Sequence, residues 1–96
     1  MFNIGDIIVS SFIYQARMNY FWKVIRTTPK TVTVVQIGNT IVGNDGFGQN
    51  GTEIANPDVV YDDVVKVGRI NKYGRLKING DNAKLWNGKP VCFYTD

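Results

Sequence analysis

Gly5–Ile37 reads GDIIVSSFIYQARMNYFWKVIRTTPKTVTVVQI, and this stretch decides the fold class. It holds three short apolar, β-rich runs separated by polar breaks. In the first run, Asp6 to Ile13, Ile7 and Val9 alternate against Ile8 and Ser10 behind a Gly5-Asp6 turn, the period-two pattern of a strand. The second, Tyr20 to Thr27, sets Tyr20, Trp22 and Val24 on one face and Phe21, Lys23 and Ile25 on the other. Both faces carry large apolar groups, as expected of a strand that curls and is covered on two sides. The third, Thr31 to Ile37, is dominated by β-branched side chains, which suit a pleated strand better than a helix. Thr28-Pro29-Lys30 has hairpin-turn chemistry, because proline presets φ near −65°. A small, strongly bent β-barrel begins in this way.

Outward from that stretch the chain changes character. Residues 38–58 contain Gly38, Gly43, Gly46, Gly48 and Gly51, half of the protein's 10 glycines. Loops beyond roughly 15 residues are uncommon in compact domains. The segment is expected to be a long Gly-rich acidic loop or hairpin arm, with Ile41-Val42 against Glu53-Ile54 as a short hairpin inside it. After Pro57, Asp58–Tyr61 reads as a short strand or a turn, and Val64–Ile70 as a strand. Asn71-Lys72-Tyr73-Gly74 turns the chain into Arg75–Ile78, and Asn79-Gly80 is a strong turn signal. Asp81–Trp86 is compatible with one helical turn capped by Asp81. Asn87-Gly88-Lys89-Pro90 then leads into a last strand, Val91–Thr95. Short strands with frequent turns and no helix of ten residues predict an all-β fold, a barrel of five to seven short strands in one domain over residues 1–96.

Composition narrows the function. The chain has 96 residues, is 44% hydrophobic and 20% charged, and so resembles an ordinary globular domain with a small core. Its longest apolar run is about four residues, against the roughly 20 a membrane-spanning helix needs. The opening MFNIGDIIVSSF lacks the basic and apolar regions of a secretory signal, and the expected location is the cytoplasm. The single cysteine, Cys92, allows no internal disulfide, and the absence of histidine removes the commonest general base and zinc ligand. Net charge is +3 but segregated. Asp45, Glu53, Asp58, Asp62 and Asp63 fall in a purely acidic stretch, followed by Lys66, Arg69, Lys72, Arg75, Lys77, Lys84 and Lys89 against Asp81 alone. In the plainest arrangement the acidic segment folds against the basic one and partly neutralises it.

Catalytic patterns fail on context. Gly46–Gly51 spells G-x-G-x-x-G, but a polar Asn-Asp precedes it and the Thr-Glu-Ile-Ala-Asn-Pro that follows is too short for a crossover helix, so it is read as a loop tip and not a dinucleotide site. The acids lack the spacing of a calcium loop, and Asp62-Asp63, being adjacent, point to opposite faces of a strand. Cys92 lies in an apparent strand without a base to activate it, and buried structural cysteine is the ordinary reading. No enzyme, cofactor or metal site is expected.

A binding surface remains. Arg69, Lys72, Tyr73, Arg75 and Lys77 cluster about one turn, with Trp86 and Lys89 near in sequence. Cations interleaved with aromatics suit a phosphate-bearing chain, one supplying charge for the backbone and the other a π-face for bases. The plainer alternative is that Tyr73 and Trp86 pack on the core and the cations only solvate a hairpin. Asp45, Phe47, Gln49 and Glu53 are the candidate contacts of the Gly-rich segment.

Two resemblances add expectations. Gly5–Val9, Tyr20–Ile25 and Thr31–Val34 resemble the opening of Tudor-type and Src-homology-type small barrels, which have a Gly-led first strand and an aromatic pair opening the second. That likeness covers about a third of the chain and implies a binder of peptides, methylated residues or nucleic acid. GDIIVSSFIYQARMNYFWKVIRTTPKTVTV and LKINGDNAKLWNGKPVCFYT are similar to a group of short bacteriophage and mobile-element proteins. These pair a G-D-I opening and an F-Y-x-V-V-x-x-T-x-K-T-V-T centre with an L-W-x-G-K-P close. Phe21, Trp22, Val24, Ile25, Thr28, Lys30, Thr31, Val32 and Thr33 fit the centre, with Trp22 where Tyr is usual, and Leu85–Pro90 fits the close. Residues 38–58 depart from the group. The likeness implies a small cytoplasmic accessory protein of a phage in its bacterial host. The expected function is non-enzymatic binding that inhibits a host defence protein, of anti-CRISPR type. The alternatives are a nucleic-acid-binding barrel, or a sponge that sequesters a nucleotide signal.

Overall fold

Tight turns set the topology. The computed structural model describes residues 2–13, 16–44 and 50–94. It contains β1 (Ile7–Ile13), β2 (Arg17–Thr27), β3 (Thr31–Asn44), β4 (Asn50–Ile70), β5 (Leu76–Ile78), β6 (Asp81–Leu85) and β7 (Val91–Tyr94). Every pairing is antiparallel, and the sheet order is β1-β6-β5-β4-β3-β2-β7 with β1–β2 and β4–β7 paired as well. These extra pairings close two rings. One runs β1-β6-β5-β4-β3-β2 and back to β1, and the other β2-β3-β4-β7. The fold is an all-β barrel with a second, smaller enclosure built on its wall.

Two strands are longer than expected, and their mismatch bends the wall. β4 spans 21 residues and β3 only 14, so β4 carries the excess in bulges. Pro57, Asp58 and Val59 have no counterpart between the pairs Ile37↔Val60 and Gly38↔Asn56; Asp62, Asp63 and Val64 have none between Gln36↔Tyr61 and Val35↔Val65. Bulges raise local twist and turn a strand around a core. Much of the span read as a loop, 38–58, is thus strand, with Ile41 opposite Glu53.

Alternation along the strands fills two cores. Ile8, Trp22, Val24, Val32, Val34, Leu76 and Ile78 form the first, inside the larger ring. Val9, Phe21, Ile37 and Ala55 form the second, with Ile7, Trp86 and Val91 packed against it. Neighbouring residues such as Ile8 and Val9, or Phe21 and Trp22, therefore serve opposite faces, which is why both faces of these strands are apolar. Trp22 donates its indole N–H to Ser10 Oγ at 2.9 Å, satisfying both buried groups.

The segment Asp81–Trp86 is a correction, since it forms β6 and not a helical turn. Asn79 (φ 54°) and Gly80 (φ 82°) both take the left-handed conformation of a two-residue hairpin turn, with Ile78 paired to Asp81. Such a turn returns the chain as an extended strand. Trp86 N then donates to Ile7 O at 2.9 Å, carrying the β1 pairing past Leu85. No helix of the described residues is long and apolar enough to cross a membrane.

Candidate functional site

The β4–β5 hairpin presents the basic residues picked out in the sequence. Its turn is built on Asn71, whose side-chain oxygen accepts from Tyr73 N at 2.9 Å and Arg75 N at 3.0 Å. Asn71 O also accepts from Gly74 N at 3.0 Å, and Gly74 takes a φ of 79° to permit it. Leu76 and Ile78 point into the first core, which forces Lys77 outward. Ile70 packs against the same core, which forces Arg69 outward. The register then sets Arg69 directly opposite Lys77.

Thr31, Arg69, Lys77 and Asn82 form one row across β3, β4, β5 and β6. Arg69, Arg75 and Lys77 line a groove of about 640 Å³ together with Val67, Asn71 and Asn79. Lys84 follows Asn82 on the same outward face of β6, extending the strip. Like charges directly opposite on a sheet repel, which makes an unneutralised Arg–Lys pair an unfavourable arrangement by itself. No ion pair joins any two of the described residues. The acidic and basic stretches therefore do not neutralise each other through contacts among these residues. Lys72 Nζ stands 5.1 Å from the centroid of the Tyr73 ring, and that ring is 74% exposed.

Two predicted residues lie elsewhere. Trp86 is half-buried against Phe21, ring centroids 5.6 Å apart at 74°, with its indole N–H donated to Lys89 O at 2.8 Å. It closes the second core and is no part of the basic face. Glu53, expected at a contact surface, is buried at 5% exposure. Its pairing with Val91 turns it toward the second core, and each carboxyl oxygen accepts from an amide there. Asn19 Nδ2 donates to Oε1 at 3.0 Å, and Asn39 Nδ2 donates to Oε2. Asp45, Phe47 and Gln49 lie outside the described residues. Lys84 joins the outward face because Asp81–Leu85 is a strand and not a helical turn, and the Asn79-Gly80 hairpin signal is the local cue for that placement.

Cys92 is exposed, not buried as expected. No cluster of three or more His, Cys, Asp or Glu among the described residues could hold a metal ion. No family model, curated protein or solved structure matches this chain.

Proposed function

We propose that this protein acts by binding, and that its β4–β5 hairpin holds a single-stranded nucleic acid. The observation that carries this reading is the Arg69–Lys77 pair, opposed across two strands with Arg75 beside it and no described acid to neutralise them. Phosphates supply the missing counter-charge, so repulsion within the free protein becomes attraction in the complex. Tyr73 offers an exposed ring on which a base stacks, and Lys72 beside it adds charge at the same turn.

Fluorescence anisotropy with a labelled single strand tests the idea. Three phosphate contacts give a slope of about −2 in log K against log salt, at about −0.7 per contact. Lys77→Glu is expected to weaken binding by about tenfold or more and to flatten that slope by roughly one contact. Binding that ignores salt, or that survives Arg69→Glu and Lys77→Glu together, would overturn the proposal.

A second reading, inhibition of a host defence protein through a protein interface, is favoured by the β1–β2 hairpin end. There Phe12 and Met18 pair directly and, with Ile13, stand 48–59% exposed. Co-precipitation from a bacterial extract with the wild type but not with Phe12→Asp would support it; equal recovery with both would reject it.

A further inference from the structure

A second groove, on the far side of β6 from the basic hairpin, has a different character. Arg17 opens β2, pairs with Ile13 of β1 and Tyr94 of β7, and is half-buried between them. Its Nε is fully buried and has no hydrogen-bond partner. Buried donors of this kind are rare in folded proteins, because leaving one unmade forfeits its hydration without return. Arg17 lines a groove of about 510 Å³, together with Ser11, Asn82, Lys84, Trp86 and Cys92. No acid is among the described residues lining it.

The two cations of this groove stand well apart. Lys84 is paired with Val9 and Arg17 with Ile13, four positions apart along β1, or roughly 13 Å of strand. The volume lies within the range of small-molecule sites. The lining also offers an indole, an amide and a hydroxyl, from Trp86, Asn82 and Ser11. A guanidinium presents a planar fork matched to phosphate, and a lysine at a distance takes a second negative group as a point charge.

We infer that this groove binds a phosphorylated small molecule of nucleotide size, one phosphate on the Arg17 guanidinium and a second charge near Lys84. The site shares Asn82 and Lys84 with the edge of the basic strip but none of Arg69, Lys72, Arg75 and Lys77, and it does not depend on the nucleic-acid reading.

Cys92 provides a direct readout, since it is the protein's one cysteine, is exposed and lines this groove. The experiment measures the rate of Cys92 modification by a thiol reagent with ATP, inorganic phosphate or citrate, alongside calorimetric titration of ATP. ATP is expected to slow modification in a saturable way, and citrate is not. Arg17→Gln is expected to weaken ATP by about tenfold or more, the worth of one charge-assisted hydrogen bond. Arg17→Lys, which keeps the charge but loses the fork, and Lys84→Gln are expected to fall between, and circular dichroism checks that each variant is folded. Lys77→Glu is expected to leave ATP binding unchanged, so failure here and failure of the nucleic-acid reading are distinguishable. Unslowed modification at saturating ATP, equal protection by citrate, or undiminished binding in folded Arg17→Gln and Lys84→Gln would overturn the inference.

Discussion

Asn19 is a buried polar residue whose side chain bonds to three other strands. It accepts from Ser11 Oγ at 2.7 Å and donates to Glu53 Oε1 at 3.0 Å and to Cys92 O at 2.8 Å. One side chain thereby ties β1, β2, β4 and β7 together. A buried carboxylate is tolerated when its oxygens have donors, and here two amides supply them. Asn19→Leu removes one donor from the Glu53 carboxyl and strips Cys92 O of its amide partner. The expected loss is about 2–4 kcal/mol, read from the urea unfolding midpoint. An undiminished midpoint would mean that water reaches these groups at no cost. Ser10→Ala is a milder case: it orphans the buried Trp22 indole N–H, for an expected loss of about 1–3 kcal/mol in the same assay.

At the scale of elements, the β4–β5 corner is tightly packed around a glycine. Gly68 lies buried on β4, and a Cβ there would come within 2.7 Å of Leu76 Cδ1 and 3.1 Å of Lys77 O. The second of these atoms is backbone and cannot rotate aside. Gly68→Ala must therefore push β5 away from β4, an overpacking expected to cost about 1–3 kcal/mol on denaturant titration. Displacing Lys77 this way also spoils its register with Arg69, so nucleic-acid affinity is expected to fall in the same variant. A variant of wild-type stability would show that the corner has slack.

The whole molecule is two cores on one shared wall of β2, β3 and β4. Each core holds one of the protein's two tryptophans, Trp22 in the first and Trp86 against the second. Because neither core can be exposed without disrupting strands that also line the other, the two are expected to unfold together. Single-tryptophan variants, Trp22→Phe and Trp86→Phe, test this directly. In each, the fluorescence and far-ultraviolet circular dichroism transitions are expected to coincide, although the variants differ from one another in stability. Fluorescence of Trp86 that changes ahead of the dichroism would mark the β7 enclosure as an independent unit.

Local chemistry in the sequence was enough for the class of fold and its corners. Alternating β-branched runs, Thr28-Pro29-Lys30 and Asn71–Gly74 act through φ preferences and strand period, which neighbours along the chain dictate. The outward placement of Arg69 and Lys77 follows from the same alternation. The roles of Glu53, Trp86 and Arg17 were illegible because they depend on ring closure. Val91 must lie beside Glu53, Phe21 beneath Trp86, and Tyr94 beside Arg17, contacts that span between 38 and 77 positions of the chain. Burial, unlike strand period, is a property of what arrives from a distance, and only the closed barrel decides which charge is enclosed and which meets solvent.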